Sequence, residues 1–172
     1  MTRYYLVVDD DEVCRKLLHQ YLRQLLGSPS QEGSSSFVIH SAKDGIEALT
    51  YAVQLRPLRY DLVITDFSMP GVNGAETAKL LRVIDERSTI ACVTSDRLDM
   101  SFLTVCKVSG IYGAWSKPID GDKMLSILLT SIIQKDTMEK GGSHELEVLV
   151  DHLASPACAL KTLSERTAPM TI

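Results

Sequence analysis

Four apolar stretches of this chain each run out into residues that can do chemistry. Asp9 and Asp10 follow Leu6-Val7-Val8. Asp66 follows Leu62-Val-Ile-Thr65 and opens onto Met69-Pro70-Gly71. Thr94 closes Ile90–Thr94, and Lys117-Pro118 comes straight after Trp115-Ser116. Magnesium prefers an octahedron of hard oxygens, keeps several waters, and commonly binds one or two carboxylates plus a phosphate, so Asp9, Asp10 and Asp66 suit it. A bound cation would also relieve the mutual repulsion of three neighbouring carboxylates, which otherwise raises their pKa values. A carboxylate in such a setting can attack phosphorus and form an aspartyl phosphate. The Thr94 hydroxyl and the Lys117 ammonium would then hold the phosphoryl oxygens.

For these residues to meet, the stretches that carry them must lie side by side with their carboxyl ends on one edge. The sequence provides for this. Strands are expected at Tyr4–Val8, Phe37–His40, Leu62–Thr65, Ile90–Thr94 and roughly Tyr112–Ser116, separated by helical patterns. The first helix carries Val13, Leu17, Leu18, Tyr21, Leu22 and Leu25 at three- and four-residue spacing, a stripe wide enough to face a sheet. Further helices are expected at Gly45–Val53, Ala75–Ile84 and Leu98–Val108, and after Pro118. Strands that are apolar throughout, alternating with helices, imply an open α/β fold whose parallel sheet is covered on both faces. Right-handed crossovers put every carboxyl end on one edge, where ligands bind.

Composition narrows the function. The chain has 172 residues, room for one domain with a full core plus an appendage. Its 45% apolar and 23% charged residues are ordinary for a globular protein. A net charge of -4 and a pI near 5.5 provide no global basic field for nucleic acid or an anionic membrane. Cys14, Cys92, Cys106 and Cys158 show no paired or metal-finger spacing, which favours a reducing compartment. With no leader pattern, and the longest apolar-rich run (Met124–Ile133) far short of the roughly 20 residues of a membrane span, a cytoplasmic location is expected. The polar segment Gly27–Ser36 reads as an enlarged surface loop without chemistry.

Taken in order, V-V-D-D-D-E at Val7–Glu12, Ala42-Lys-Asp-Gly45, D-x-x-M-P-x-x-x-G from Asp66 to Gly74, Leu81-Arg82, Thr94-Ser95 and Lys117-Pro118 resemble the receiver domain of two-component response regulators. The resemblance runs from about Arg3 to Gln134. It implies a doubly wound, flavodoxin-like five-stranded sheet of order 2-1-3-4-5 over residues 1–134, with residues 135–172 as a short helical or partly disordered extension. It implies that Asp66 is the phosphoacceptor and that Asp10, Asp66 and the backbone carbonyl of Ser68 bind Mg²⁺ directly, with Asp9 acting largely through water. The donor would be a phosphohistidine on a sensor histidine kinase or a phosphotransfer protein. The output would be a protein target or second protomer on the face of helix 4, strand 5 and helix 5. Such a protein is a regulator rather than an enzyme, although it takes part in its own phosphorylation and dephosphorylation.

One position departs from the pattern. Family switching pairs the threonine with an aromatic three residues before the lysine, and here that residue is Ala114. Trp115 stands one residue on, and strand side chains alternate faces, so it should point the other way and belong to the core. Tyr112 is the remaining aromatic substitute. Two other readings follow: a pseudo-receiver scaffold without switching, suggested by Ala114, and a haloacid-dehalogenase-like phosphatase. In the phosphatase, Asp9-x-Asp11-x-Val13 would make Asp9 the nucleophile and Asp11 the acid/base, but Asp66 and the Met-Pro turn are left unexplained. The blandest account of Asp9–Glu12 is a set of acids at a helix start, favoured by the helix dipole.

After Gln134, Lys135, Lys140, Lys161 and Arg166 stand against six acids, too few and too mixed for a DNA recognition helix. Gly141-Gly142 reads as a hinge. Ser143 is expected to cap a short helix with Leu146, Leu149, Val150 and Leu153 on one face, and Ser155-Pro156 to start another. In the last receiver helix, Met124, Ile127 and Leu128 suit the sheet and Leu125, Leu129 and Ile133 are left over, an apolar surplus expected to be covered beside the fourth helix and fifth strand.

Overall fold

The structure, a computed structural model, describes residues 2–27, 36–56, 58–139 and 149–150. Strands β1 (Arg3–Val8), β2 (Phe37–Ala42), β3 (Leu62–Thr65), β4 (Thr89–Thr94) and β5 (Gly113–Ser116) alternate with helices α1 (Glu12–Leu26), α2 (Gly45–Leu55), α3 (Gly74–Ile84), α4 (Met100–Val108) and α5 (Gly121–Glu139). The strands pair in parallel in the order β2-β1-β3-β4-β5, as expected. Every residue of β3 and β4 is buried, because helices cover both faces, whereas β2 is only partly buried, as an edge strand should be.

The core is split by the sheet. Leu6, Val8, Val63, Ile90, Cys92 and Ala114 pack with residues of α2, α3 and α4 on one face. Tyr5, Val7, Ile64, Val93 and Trp115 pack with Leu18, Leu22, Met124, Ile127 and Leu128 of α1 and α5 on the other. Trp115 is therefore core, on the face opposite Ala114.

Three expectations are corrected. The stripe on α1 is narrower than its spacing implied: Leu18 and Leu22 are buried, but Val13, Leu17 and Leu25 are 73%, 36% and 41% exposed. One helix against a twisted sheet buries the i, i+4 pair at its closest approach and leaves flanking positions in solvent. The second correction concerns the tail. Leu149 and Val150, placed on a helix by their spacing, form a two-residue strand, β6 (Leu149–Val150), parallel to β5 with Gly113 opposite Leu149 and Ala114 opposite Val150. The open edge of β5 offers unpaired backbone groups that a short helix cannot satisfy. The rest of the expected tail helices, and residues 28–35 of the polar loop, lie outside the described residues. Third, Leu125 and Leu129 of α5 face Leu25 and Leu26 of α1 across an open recess of about 470 Å³, so they border α1 rather than α4.

Helix starts explain one of the three consecutive acids. The Asp11 carboxylate accepts hydrogen bonds from the backbone N–H of Val13 (2.7 Å) and Cys14 (3.3 Å) and caps α1. Asp44, Asn73 and Asp99 cap α2, α3 and α4 in the same way, Asn73 through a full capping box with Glu76. Replacing Asp11 with alanine is expected to cost about 1 kcal/mol of stability. In urea unfolding this lowers the midpoint and leaves the slope unchanged.

Candidate functional site

The ladder carries the site residues one step past the strand ends. The Asp9 N–H donates to the Ala42 carbonyl (3.2 Å), the Asp66 N–H to that of Val8 (2.8 Å) and the Lys117 N–H to that of Thr94 (2.7 Å). Parallel register does the rest, setting Val8 beside Thr65 and Thr94 beside Ser116. Gly74 keeps the turn after Asp66 tight: its N–H donates to the Phe67 carbonyl (2.8 Å), and a Cβ there would lie 2.1 Å from the Asp66 carbonyl oxygen. Gly71 has φ +77°, which the turn after Pro70 requires.

Asp9, Asp10 and Asp66 each bring a carboxylate oxygen within 4.8 Å of the others. Lys117 Nζ lies 2.9 Å from Asp66 Oδ2 and 2.8 Å from Asp9 Oδ2. The Asp9 side chain is fully buried, that of Asp66 is buried at the mouth, and Asp10 is exposed. Burial pushes the Asp9 carboxyl above the usual carboxylate range, against the Lys117 ammonium beside it and the hydrogen bond from the Asp11 N–H, which lower it. For Lys117, burial disfavours the ammonium, but the two carboxylates more than offset this and hold it firmly charged.

These residues fit a hard divalent cation. Asp9 Oδ2 is buried without a well-aligned hydrogen bond among the described residues and takes only the ion pair from Lys117. One ammonium cannot neutralise three carboxylates, so the cluster retains uncompensated negative charge. Asp9 Oδ1 accepts from the Asp11 N–H (2.9 Å). Asp66 Oδ1 accepts from the Phe67 N–H (2.7 Å), which orients the carboxylate.

Thr94 is not idle. Its hydroxyl donates to Asp96 Oδ2 (3.1 Å) and accepts from the Asp96 N–H (3.1 Å), while the Ser68 hydroxyl donates to the same Asp96 oxygen (2.6 Å). Asp96 thus clasps both sides of the mouth. Sequence reasoning did not foresee the bond between the Ser68 hydroxyl and Asp96. It missed Arg15, whose Nη1 donates to the carbonyls of Asp9 (2.7 Å) and Asp10 (3.0 Å) and holds the acidic turn. An arginine one helical turn after consecutive acids was the available signal. Tyr112 is ruled out as a replacement for the missing aromatic, because its hydroxyl donates to the Ile127 carbonyl (2.9 Å) on the α1/α5 face. Beside Lys117, a recess of about 360 Å³ is lined by Cys14, Leu17, Leu18, Val93, Pro118 and Ile119.

The phosphatase arrangement does not match this geometry. Asp11 is committed to capping α1, and Asp9 is sealed beneath Lys117, with no face open to a phosphate ester.

Among known families, the response regulator receiver domain matches residues 5–129. The chain is 32% identical over 125 residues to sporulation initiation phosphotransferase F of Bacillus subtilis, covering 72% of this chain and 89% of that protein. It is 35% identical over 147 residues to hybrid signal transduction histidine kinase E of Dictyostelium discoideum, covering 83% of this chain but only 7% of that much longer protein. It likewise spans 57% of the probable transcriptional regulator ycf29 of Pyropia yezoensis. The solved structure of the chemotaxis protein CheY4 of Vibrio cholerae superposes with a TM-score of 0.63 at 25% identity, over 76% of this chain and 99% of that one.

Proposed function

We propose, because this chain belongs to the response regulator receiver family of two-component systems, that Asp66 accepts a phosphoryl group from a phosphohistidine donor in a Mg²⁺-dependent reaction and that the protein signals through protein contacts. The observation that carries this reading is the convergence of Asp9, Asp10 and Asp66 around the Lys117 ammonium.

The chain's own residues divide the work. Asp66 Oδ2 attacks phosphorus in line with the leaving imidazole nitrogen of the donor, forming the O–P bond as the P–N bond breaks. Lys117, already 2.9 Å from that carboxylate, shifts to a phosphoryl oxygen as charge builds there. Thr94 releases Asp96 and donates its hydroxyl to a second phosphoryl oxygen. Asp10, Asp66 and the Ser68 carbonyl would hold Mg²⁺ directly and Asp9 through water, the ion supplying charge neutralisation between the carboxylates and the transferred group. The apolar recess beside Lys117 suits the helical surface of a kinase or phosphotransfer donor.

Residues 135–172 act, in this reading, as an extension to a receiver of residues 1–134, although α5 runs through that boundary to Glu139. The face formed by α4, β5 and α5 meets the downstream protein or a second protomer in a cytoplasmic setting. Among the described residues, no helix is long and apolar enough to cross a membrane. Deleting everything after Lys140 removes β6 and frees the β5 edge. The truncated protein is expected to show faster amide exchange at Gly113–Ser116 or to dimerise on size exclusion; the absence of both changes would count against a role for the extension at this face.

Ala114 favours a second reading, a pseudo-receiver that keeps the fold as an interaction scaffold and has lost productive phosphorylation and switching. Acetyl phosphate with Mg²⁺, followed by intact mass, separates the two: the proposed acceptor gains one phosphoryl group and the scaffold gains none.

A further inference from the structure

Among the described residues, α4 is held to the body of the protein by few side chains. Only Phe102 and Cys106 are buried, while Met100, Val105 and Val108 are 78%, 40% and 67% exposed. Its two ends are secured differently. The carboxyl end is pinned: the Ile111 N–H donates to the Cys106 carbonyl (3.0 Å), and Arg82, bonded also to Glu86, donates to the Gly110 carbonyl (2.7 Å). Gly110 has φ +79° and packs so close to Arg82 that a Cβ would lie 2.7 Å from Nε. The amino end rests on Phe102, whose ring meets that of Phe67 with centroids 4.4 Å apart and planes at 47°. Phe67 follows Asp66 directly, and its N–H bonds the Asp66 carboxylate. Ala114 lies fully buried in the same cluster as Phe102, with no ring of its own to contribute.

We propose that the Phe67–Phe102 ring pair is the coupling element of this protein, carrying the state of Asp66 to the amino end of α4 in place of an aromatic on β5. The proposal rests on the reading of Asp66 as phosphoacceptor. When Asp66 gains a phosphoryl group, its Oδ1 loses charge and its bond to the Phe67 N–H is re-formed in a new geometry. Phe67 shifts against Phe102, and α4 pivots about its pinned Ser109–Gly110 end. A lightly anchored helix with one fixed end is the element that such a shift can move at low free-energy cost. Asp96 and Asp99, in the loop leading to α4, move with it: the first loses Thr94, and the second caps the Phe102 N–H (3.0 Å).

The test compares backbone amide shifts from Leu98 to Val108 before and after phosphorylation by acetyl phosphate with Mg²⁺, while intact mass follows phosphoryl content. Wild type is expected to gain one phosphoryl group and shift these amides. Phe102→Leu keeps an apolar side chain and is expected to gain the group equally but lose most of the shift; Phe102→Met guards against a fault specific to one variant. Phe67→Leu alone should reduce the shift, and the double variant should lose no more than Phe102→Leu, since two residues of one contact are not additive. Full wild-type shifts in both Phe102 variants, or independent losses that add, would overturn the coupling while leaving the acceptor reading intact. A wild type that takes no phosphoryl group would overturn both.

Discussion

Asp66→Asn is expected to abolish phosphoryl incorporation, although the substitution barely changes the shape of the site. Asparagine is nearly isosteric and keeps an oxygen that can accept from the Phe67 N–H, so the turn and the Gly74 approach survive. What disappears is the carboxylate nucleophile. An amide oxygen is a poor attacking group, and losing a nucleophile removes the covalent step outright, an effect of at least ~10³ in rate. Intact mass after acetyl phosphate and Mg²⁺ reads it directly. Asp9→Asn, by contrast, is expected to slow incorporation without removing it, because Asp9 Oδ2 faces Lys117 rather than the mouth. Complete loss in Asp9→Asn with incorporation retained in Asp66→Asn would reverse the assignment and favour the phosphatase arrangement.

The second large effect is on stability. Three carboxylates against one ammonium make the metal-free site repulsive, and burial raises the Asp9 carboxyl above the usual range. The sign follows from linkage. A folded-state pKa raised above the unfolded value means that the native state binds the proton more tightly. Asp9 therefore contributes stability fully present below the unfolded carboxylate pKa of about 3.9 and lost as pH rises through the raised native value. At neutral pH and without metal, Asp9→Asn should consequently melt above wild type. Added Mg²⁺ reverses the order. Bound at 100 times its Kd, it stabilises wild type by about 2.7 kcal/mol, and a variant that has lost an outer ligand is expected to bind roughly 10-fold more weakly or worse. Thermal melts of both proteins across Mg²⁺ concentration check this. A wild-type Tm unmoved by Mg²⁺ would count against a metal at these carboxylates.

Much of this geometry was legible in the sequence. Apolar runs ending in Asp, Thr or Lys read correctly as parallel strands with their carboxyl ends on one edge, because strands apolar on both faces must lie in a sheet covered by helices and right-handed crossovers then align those ends. The alternation rule also placed Trp115 in the core and off the face of Ala114. What stayed hidden depends on where neighbouring elements end. Asp11 is chemically the same as Asp9 and Asp10, and only the start of α1 makes it a cap. The spacing of Val13, Leu17 and Leu25 could not show how narrow the contact of α1 with the sheet is. Leu149 and Val150 suit a helix face and a strand equally, and the open edge of β5 decides between them. The Asp96 clasp and the Phe67–Phe102 pair join residues 28 and 35 positions apart, a proximity set by two loops rather than by any motif.

The central claim is that Asp66, brought together with Asp9, Asp10 and Lys117, is the residue that becomes phosphorylated. Borohydride reduces an aspartyl phosphate to homoserine, so trapping the protein during reaction with acetyl phosphate and Mg²⁺ and then mapping its peptides reports the acceptor by position. Homoserine at residue 66, absent when Mg²⁺ is chelated, is the predicted result. Homoserine at residue 9, or at neither position while the intact protein carries phosphate, would contradict it.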